Sequence, residues 1–129
     1  ANMRFYTQVL RRCNASPVYT YLFARQVPGI DCEFYGAYHA SEIPYHFGNL
    51  AAIARPFTPD DHALSQAMMS FWRTFAKDGQ PTAGPAPLAP YDKAADLWMH
   101  LDIPCRFAPL PSPERTDFLQ ALLAERTGL

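Results

Sequence analysis

The sequence predicts an α/β fold, in which helices cover both faces of a sheet. Residues 18–24 form a run of β-branched and aromatic side chains that is apolar on both faces, as in a strand covered on both sides. Residues 58–79 carry a strong helix start followed by apolar residues at helical spacing, and residues 112–128 repeat this pattern. A doubly covered strand together with long amphipathic helices indicates the α/β class.

The N-terminal part of the chain predicts a helix followed by the first strand. One face of the helix predicted over residues 2–12 is apolar, at Met3, Tyr6, Val9 and Leu10. Ser16-Pro17 ends this helix before the strand at residues 18–24 begins. Residues 97–101 are the only other stretch that we predict as a strand.

The best-defined helix begins at Thr58. Thr58 is the expected N-cap, Pro59 takes the first helical position, and the carboxylates of Asp60 and Asp61 complement the helix dipole. Its apolar positions recur until Gly79: Leu64, Ala67, Met68, Phe71, Trp72 and Phe75. We expect its large apolar side chains to pack against the sheet and not to form a ligand site: Met68, Met69, Phe71, Trp72 and Phe75.

A last helix and a proline-rich connection complete the predicted elements. The helix begins at Ser112-Pro113-Glu114, has apolar positions at Phe118, Leu119, Leu122 and Leu123, and ends near Gly128. Residues 80–90 contain four prolines, at 81, 85, 87 and 90, which predict a stiff, extended surface connection without regular structure.

The predicted sheet is incomplete, because two short strands cannot form a sheet that is covered on both faces. The missing strands are therefore expected in another part of a larger protein. We expect residues 1–129 to form one continuous segment of a single domain, since no clean domain boundary occurs within them. The first residues already have the pattern of a helix interior, as a fragment would.

Composition excludes some functions and leaves the compartment open. The chain has 11 Lys+Arg against 12 Asp+Glu, so no net positive field favours nucleic acid or an anionic membrane surface. No apolar run approaches the roughly 20 residues that cross a bilayer. Three cysteines without a Cys-x-x-Cys pair fit either one disulfide plus a free thiol or three buried thiols.

Chemistry is most plausible in residues 36–48, where His39, Glu42 and His46 lie between glycines. Three interpretations are open. His39 can simply satisfy a local backbone hydrogen bond. It can bind a metal with Glu42 and His46, although Pro44 interrupts the helix that would align them. It can also act as a general base, provided that a hydrogen-bonding partner controls its tautomer.

Residues 18–102 resemble the C-terminal part of the type-B carboxylesterases, the cholinesterase-like branch of the α/β-hydrolases. Four stretches carry the resemblance in the same order and with similar gaps: Val18-Tyr19-Thr20-Tyr21-Leu22-Phe23; Gly36-Ala37-Tyr38-His39-Ala40-Ser41-Glu42-Ile43 with Phe47-Gly48; Phe71-Trp72-Arg73-Thr74-Phe75-Ala76-Lys77-Asp78-Gly79-Gln80-Pro81; and Pro90-Tyr91. The family commonly has a tryptophan before the last pair, where this chain has Ala89.

The resemblance implies a fold and a set of roles. The chain would be the C-terminal part of an α/β-hydrolase fold, with the last strands of the central sheet and their packing helices, completed by a missing N-terminal portion. His39 falls on the family's catalytic histidine, and Glu42 matches a carboxylate that supports the site from behind. Tyr38 and Ser41 flank the histidine and would line the substrate pocket. The chemistry needs no metal and no organic cofactor.

The nucleophile is expected on a partner segment. None of the five serines at positions 16, 41, 65, 70 and 112 lies in a Gly-x-Ser-x-Gly elbow, and in α/β-hydrolases the histidine follows the serine and the acid along the chain. The resemblance therefore implies an esterase in which the N-terminal portion supplies the serine and the acid. The alternatives are a catalytically inactive, cholinesterase-like adhesion module and a self-sufficient small binding domain.

Overall fold

A computed structural model describes residues 2–83 and 86–128, which contain helices, short strands and connecting turns. In chain order they are α1 (Asn2–Cys13), β1 (Tyr21–Phe23), α2 (Cys32–Tyr35), α3 (Ile43–His46), a 3₁₀-helix (Leu50–Ala52), α4 (Pro59–Asp78), β2 (Thr82–Ala83), β3 (Ala86–Pro87), β4 (Trp98–Leu101), β5 (Arg106–Ala108) and α5 (Pro113–Thr127). All three helices predicted with caps or apolar stripes are present, as α1, α4 and α5.

Both predicted strands are present, although each is shorter than expected. Three strands form a sheet in the order β1-β4-β5. Strands β1 and β4 are parallel, with Tyr21 opposite Met99 and Phe23 opposite Leu101, and the Ala24 N–H extends the ladder by donating to the Leu101 carbonyl at 3.1 Å. Strand β1 is therefore an edge strand of this sheet as far as the described residues show. Its Tyr21 side chain is 38% exposed, whereas the sequence predicted burial on both faces.

The described residues cluster into two compact units. One comprises Ala1–Thr20, Pro90–Trp98 and Phe107–Leu129, and the other comprises Tyr21–Ala89 and Met99–Arg106. This division does not test whether residues 1–129 belong to a single domain, which stays a prediction.

The first unit is held by polar contacts around α1. The Arg4 guanidinium forms ion pairs with Asp96 and with Asp117 of α5. The buried Gln8 side chain donates to the Tyr91 hydroxyl at 3.5 Å, and that hydroxyl donates to Asp96 at 2.6 Å. These contacts tie α1 to α5 and to the connection that precedes β4.

The second unit contains the larger apolar core. Its buried residues are Val27, Tyr45, Leu50, Leu64, Met68 and Leu101, with Phe23, Phe57, Phe71, Met99 and Ile103 packed against them. Helix α4 contributes Leu64 and Met68, as its apolar repeat predicted. Trp72 and Phe75 lie outside this buried core and are 44% and 43% exposed, although the Trp72 ring meets Tyr21 of β1 edge to face at 5.7 Å. The helical row through Asp61, Leu64 and Met68 is buried, and Phe71, one turn later, packs against the core.

The proline-rich connection is less irregular than predicted. Strands β2 and β3 form a two-residue antiparallel pair, with Thr82 opposite Pro87. The Leu88 N–H donates to the Pro81 carbonyl at 2.8 Å, and Leu88 is buried. Proline is compatible with such a short edge pairing when its nitrogen points away from the partner strand. Pro85, one of the four prolines, lies outside the described residues.

The cysteines fit neither pairing expectation. All three are free thiols; Cys13 and Cys105 are exposed and Cys32 is half-buried, so there is no disulfide and no set of buried thiols.

Within residues 2–83 and 86–128, none of the helices combines the length and the apolar character that a membrane span requires.

Candidate active site around His39

His39 lies at the second position of a tight turn formed by residues 38–41. The Ser41 N–H donates to the Tyr38 carbonyl at 3.1 Å, and the third residue, Ala40, has a φ of 67°. A positive φ at the third position is the geometry of a type II turn, which normally takes glycine there. Alanine in this conformation is strained, and strain of this kind is often found at functional sites.

The turn presents the His39 side chain to solvent. His39 is exposed, and none of the hydrogen bonds, ion pairs or ring contacts among the described residues involves its imidazole. The first interpretation of His39, a histidine that satisfies a local backbone bond, therefore has no support in these contacts. An exposed imidazole without an internal partner is accessible to groups from another polypeptide segment or from a ligand.

Tyr38 borders a surface cleft. Its side chain is 37% exposed, and the Arg55 guanidinium lies over its ring at 5.5 Å from the centroid. Arg55 also donates to the Pro28 carbonyl at 3.1 Å. The cleft has a volume of about 690 Å³ and is lined by Gly29, Ile30, Ile53, Ala54, Arg55 and Pro56. Tyr38 therefore contacts the lining of the cleft through Arg55, and its place in a substrate pocket stays a prediction.

Ser41 and Glu42 are placed differently from Tyr38. Ser41 is 4% exposed, and its hydroxyl donates to the Tyr38 carbonyl at 2.6 Å, so it closes the turn that carries His39. Glu42 is half-buried at the N-cap of α3, without a side-chain capping bond. Its charge acts on Tyr21, whose pKa is raised by burial and then by Glu42. The structure shows no contact between Glu42 and His39 among the described residues.

His46 belongs to an aromatic cluster with Tyr21 and Trp72. The three rings meet edge to face at centroid distances of 5.4 to 6.0 Å. The Trp72 indole N–H donates to His46 Nδ1 at 3.3 Å, so this nitrogen acts as an acceptor. Burial lowers the pKa of His46, and the charge of Glu42 opposes that shift. The cluster therefore favours a neutral imidazole.

These placements bear on the metal interpretation. Among the described residues no group of three His, Cys, Asp or Glu side chains is arranged to hold a metal ion. His46 uses Nδ1 to accept from Trp72, while His39 points to solvent from the turn. The structure does not bring His39, Glu42 and His46 together as ligands.

Asp61 of α4 is a buried carboxylate that bonds to α3 through Tyr45. Its side chain is fully buried and accepts hydrogen bonds from Arg25 at 2.8 and 3.3 Å and from the Tyr45 hydroxyl at 2.8 Å. The Thr58 N–H and hydroxyl donate to it at 2.8 and 2.7 Å. Burial alone would raise the pKa of Asp61, but these donors outweigh it and hold the pKa well below its usual range.

Sequence reasoning identified the capping part of this network and missed the rest. Thr58 and Asp61 form a capping box, a local signal that is readable from the sequence. Arg25 and Tyr45 are 36 and 16 residues away from Asp61, and no pattern in the sequence joins them.

Comparison with known proteins agrees with this architecture. Residues 3–119 match the model of the carboxylesterase family. The bile salt-activated lipase of Mus musculus is 34% identical over 93 residues, a match that covers 69% of this chain and 15% of the lipase. Carboxylesterase 4A of Bos taurus is 31% identical over 113 residues, covering 82% of this chain and 20% of that protein.

A solved structure extends the likeness to the fold. A PNB esterase aligns with a TM-score of 0.62 and 29% identity over 78% of this chain, which corresponds to 21% of the esterase chain. The chain is thus a fragment of an α/β-hydrolase esterase fold, and the predicted fold class is confirmed. The chain belongs to the carboxylesterase family and corresponds to a partial, C-terminal portion of a type-B carboxylesterase. It spans only 15% to 20% of the two relatives above.

Proposed function

We propose that this chain supplies His39 as the catalytic histidine of a carboxylic-ester hydrolase. In this role the imidazole takes the proton from a serine hydroxyl as it attacks the ester carbonyl, and later returns a proton to the leaving alcohol. The serine and the acid of the triad come from the N-terminal portion of the same esterase. The substrate is a small-molecule carboxylic ester.

One observation carries the proposal: His39 is exposed at the tip of a strained turn and has no partner among the described residues. A general base needs a free nitrogen for the nucleophile and a second partner that sets its tautomer. The exposed imidazole leaves its nitrogens free, but the described residues supply neither a nucleophile nor a partner that sets the tautomer, so both would come from the complementary portion. The names of the relatives, a lipase and carboxylesterases, support ester hydrolysis as the reaction.

The surroundings of the turn support completion by a further polypeptide segment. Strand β1 stands at the edge of the described sheet, where its second side can accept another strand. Several large apolar side chains near the turn in sequence are also exposed: Ile30, Phe34, Tyr35, Ile43 and Phe47. Two of them, Phe34 and Tyr35, meet edge to face at 5.1 Å, and exposed apolar patches often mark an interface.

The test is an ester-hydrolysis assay on the protein assembled with its N-terminal portion. His39→Ala should lower kcat/KM for a chromogenic short-chain ester by several orders of magnitude, as loss of one triad member does. His62→Ala is the matched control, because His62 is exposed on α4, and it should keep full activity.

Two further results complete this test. Residues 1–129 expressed alone should be inactive, and assembly with the N-terminal portion should restore turnover. Near-normal turnover in the His39→Ala protein would refute the catalytic role. An assembled wild-type protein without any esterase activity would instead favour the inactive adhesion module.

A further inference from the structure

We propose that Tyr45 and Ser65 are positioning residues for His39, because they fix the short helix α3 against α4 and thereby hold the turn that carries the imidazole. This inference rests on the proposed catalytic role of His39. It concerns how this chain's own core sets the place of the imidazole, whichever groups the partner segment brings to it.

The His39 turn and α3 form one hydrogen-bonded unit. The Ser41 N–H closes the turn on the Tyr38 carbonyl at 3.1 Å, and the Ile43 N–H continues it by donating to the Ala40 carbonyl at 3.2 Å. The Tyr45 N–H then donates to the Glu42 carbonyl at 3.0 Å. Because these bonds overlap along the chain, a displacement of α3 moves the backbone of His39 with it.

Helix α3 is attached to α4 through the side chain and the backbone carbonyl of one residue, Tyr45. The Tyr45 hydroxyl donates to Asp61 Oδ1 at 2.8 Å, and the Tyr45 carbonyl accepts from the Ser65 hydroxyl at 2.7 Å. Tyr45 and Asp61 are fully buried and Ser65 is 3% exposed, so water does not compete for these bonds. Asp61 and Ser65 are one helical turn apart on α4 and form a two-point attachment.

Asp61, to which the Tyr45 hydroxyl bonds, is held in place by other donors as well. Asp61 also accepts two bonds from Arg25, which follows β1, and two from Thr58, its own helix cap. Removal of the Tyr45 hydroxyl therefore leaves the carboxylate in place with four donors. The substitution Tyr45→Phe removes one of the two bonds that attach α3 to α4, while the network that holds Asp61 persists.

Packing alone would not require a tyrosine at this position. The Tyr45 ring lies 5.2 Å from Phe23 and 5.8 Å from Phe57, within a core of aliphatic and aromatic side chains. A phenylalanine would fill the same space, and burial of a hydroxyl is unfavourable unless it is bonded. Burial and the neighbouring Asp61 raise the pKa of Tyr45, so the phenol stays a neutral donor to the carboxylate.

The test compares kcat and KM in the assembled esterase with Tyr45→Phe, Ser65→Ala and Ser65→Thr. We expect kcat to fall on the order of 10- to 100-fold in Tyr45→Phe and Ser65→Ala, since a misplacement of about 1 Å has effects of this size. KM should stay close to the wild-type value. Ser65→Thr keeps a hydroxyl and should restore most of the lost kcat.

A matched control separates positioning from stability. Thr74 lies near the other end of α4, where its hydroxyl accepts from the Thr82 N–H at 2.7 Å. Thr74→Val removes a bonded hydroxyl from the same helix without touching α3, so it should lower the melting temperature but leave kcat per folded enzyme unchanged. Reaction of the serine with a fluorophosphonate should slow in the Tyr45→Phe protein and not in Thr74→Val.

The outcomes distinguish this inference from the proposed function. The positioning role is overturned if Tyr45→Phe and Ser65→Ala keep the kcat of Thr74→Val while His39→Ala is inactive. If His39→Ala keeps its activity in the same preparations, the catalytic role of His39 fails, and the positioning role fails with it.

Discussion

Replacement of Asp61 by asparagine would show how much the buried carboxylate stabilises the unit that carries His39. The carboxylate is fully buried and has five donor contacts, two from Arg25, two from Thr58 and one from Tyr45. Asparagine has nearly the same shape, but its side-chain NH2 group is a donor and would face the donors that now bind the carboxylate. It also leaves the Arg25 charge without its counterion.

The size of the effect follows from the environment of Arg25. Breaking a buried ion pair by removing one partner typically lowers the free energy of unfolding by about 3–5 kcal/mol. The Arg25 side chain is 21% exposed, so water can partly solvate the orphaned guanidinium. We therefore expect a loss near the lower limit, about 3 kcal/mol.

Asp60 provides the matched control, because it precedes Asp61 in the first turn of α4 and is exposed. Asp60→Asn removes a charge from the same helix end and should cost only the dipole contribution, about 0.3–1 kcal/mol. Both variants would be measured by urea unfolding at pH 7, followed by far-ultraviolet circular dichroism. Equal losses in the two variants would refute the assignment of a stabilising network to Asp61.

The lowered pKa of Asp61 predicts that the free energy of unfolding depends on pH. The pKa of Asp61 is lowered in the folded protein, so its contribution is fully present above its unfolded pKa of about 4 and is lost as the pH falls further. The free energy of unfolding of the wild type should therefore fall toward that of Asp61→Asn below about pH 4. A gap between wild type and variant that stays constant from pH 7 to pH 3 would contradict the lowered pKa.

Two further predictions concern the surroundings of α3 and α4. At Gly48, with a φ of 65°, an added Cβ would lie 2.6 Å from Met69 Sδ, so Gly48→Ala should destabilise more in thermal unfolding than Gly79→Ala, where φ is 71° and the space is open. The Gly79→Ala loss should be about 1–2 kcal/mol, the cost of a left-handed alanine. Trp72 fluorescence should change with a midpoint below the usual histidine value of about pH 6.5, because protonated His46 can no longer accept from the indole. The change should vanish in His46→Gln.

Local signals explain which elements were predictable. Helix α4 begins at Thr58 and ends at Gly79 because the cap, the first-turn proline, the acidic residues and the C-terminal glycine are all local to it. The observed capping box joins Thr58 and Asp61 across three residues, a distance that sequence patterns can report. The boundaries of such an element follow from the sequence without knowledge of its partners.

Helix α3 shows the limit of this reasoning. Pro44 was interpreted as an interruption between Glu42 and His46, yet it occupies the first turn of α3, where the missing N–H leaves no bond unmade. A helix of four residues has too few positions to display an apolar repeat. Its stability comes from Tyr45, which reaches a carboxylate 16 residues later, so only the tertiary structure reveals it.

The position of Glu42 bears on which group would set the tautomer of His39 in the proposed mechanism. Its charge acts on Tyr21 and His46, and Glu42 makes no contact with His39 among the described residues, so none of these residues sets the tautomer of the His39 imidazole. A histidine with both nitrogens exposed to water is a weak and poorly oriented base. In the proposed mechanism, the acid that accepts from the second nitrogen would therefore come from the N-terminal portion together with the serine. In that mechanism this chain would set the position of the imidazole through α3, and the acid of the partner segment would set its tautomer and basicity.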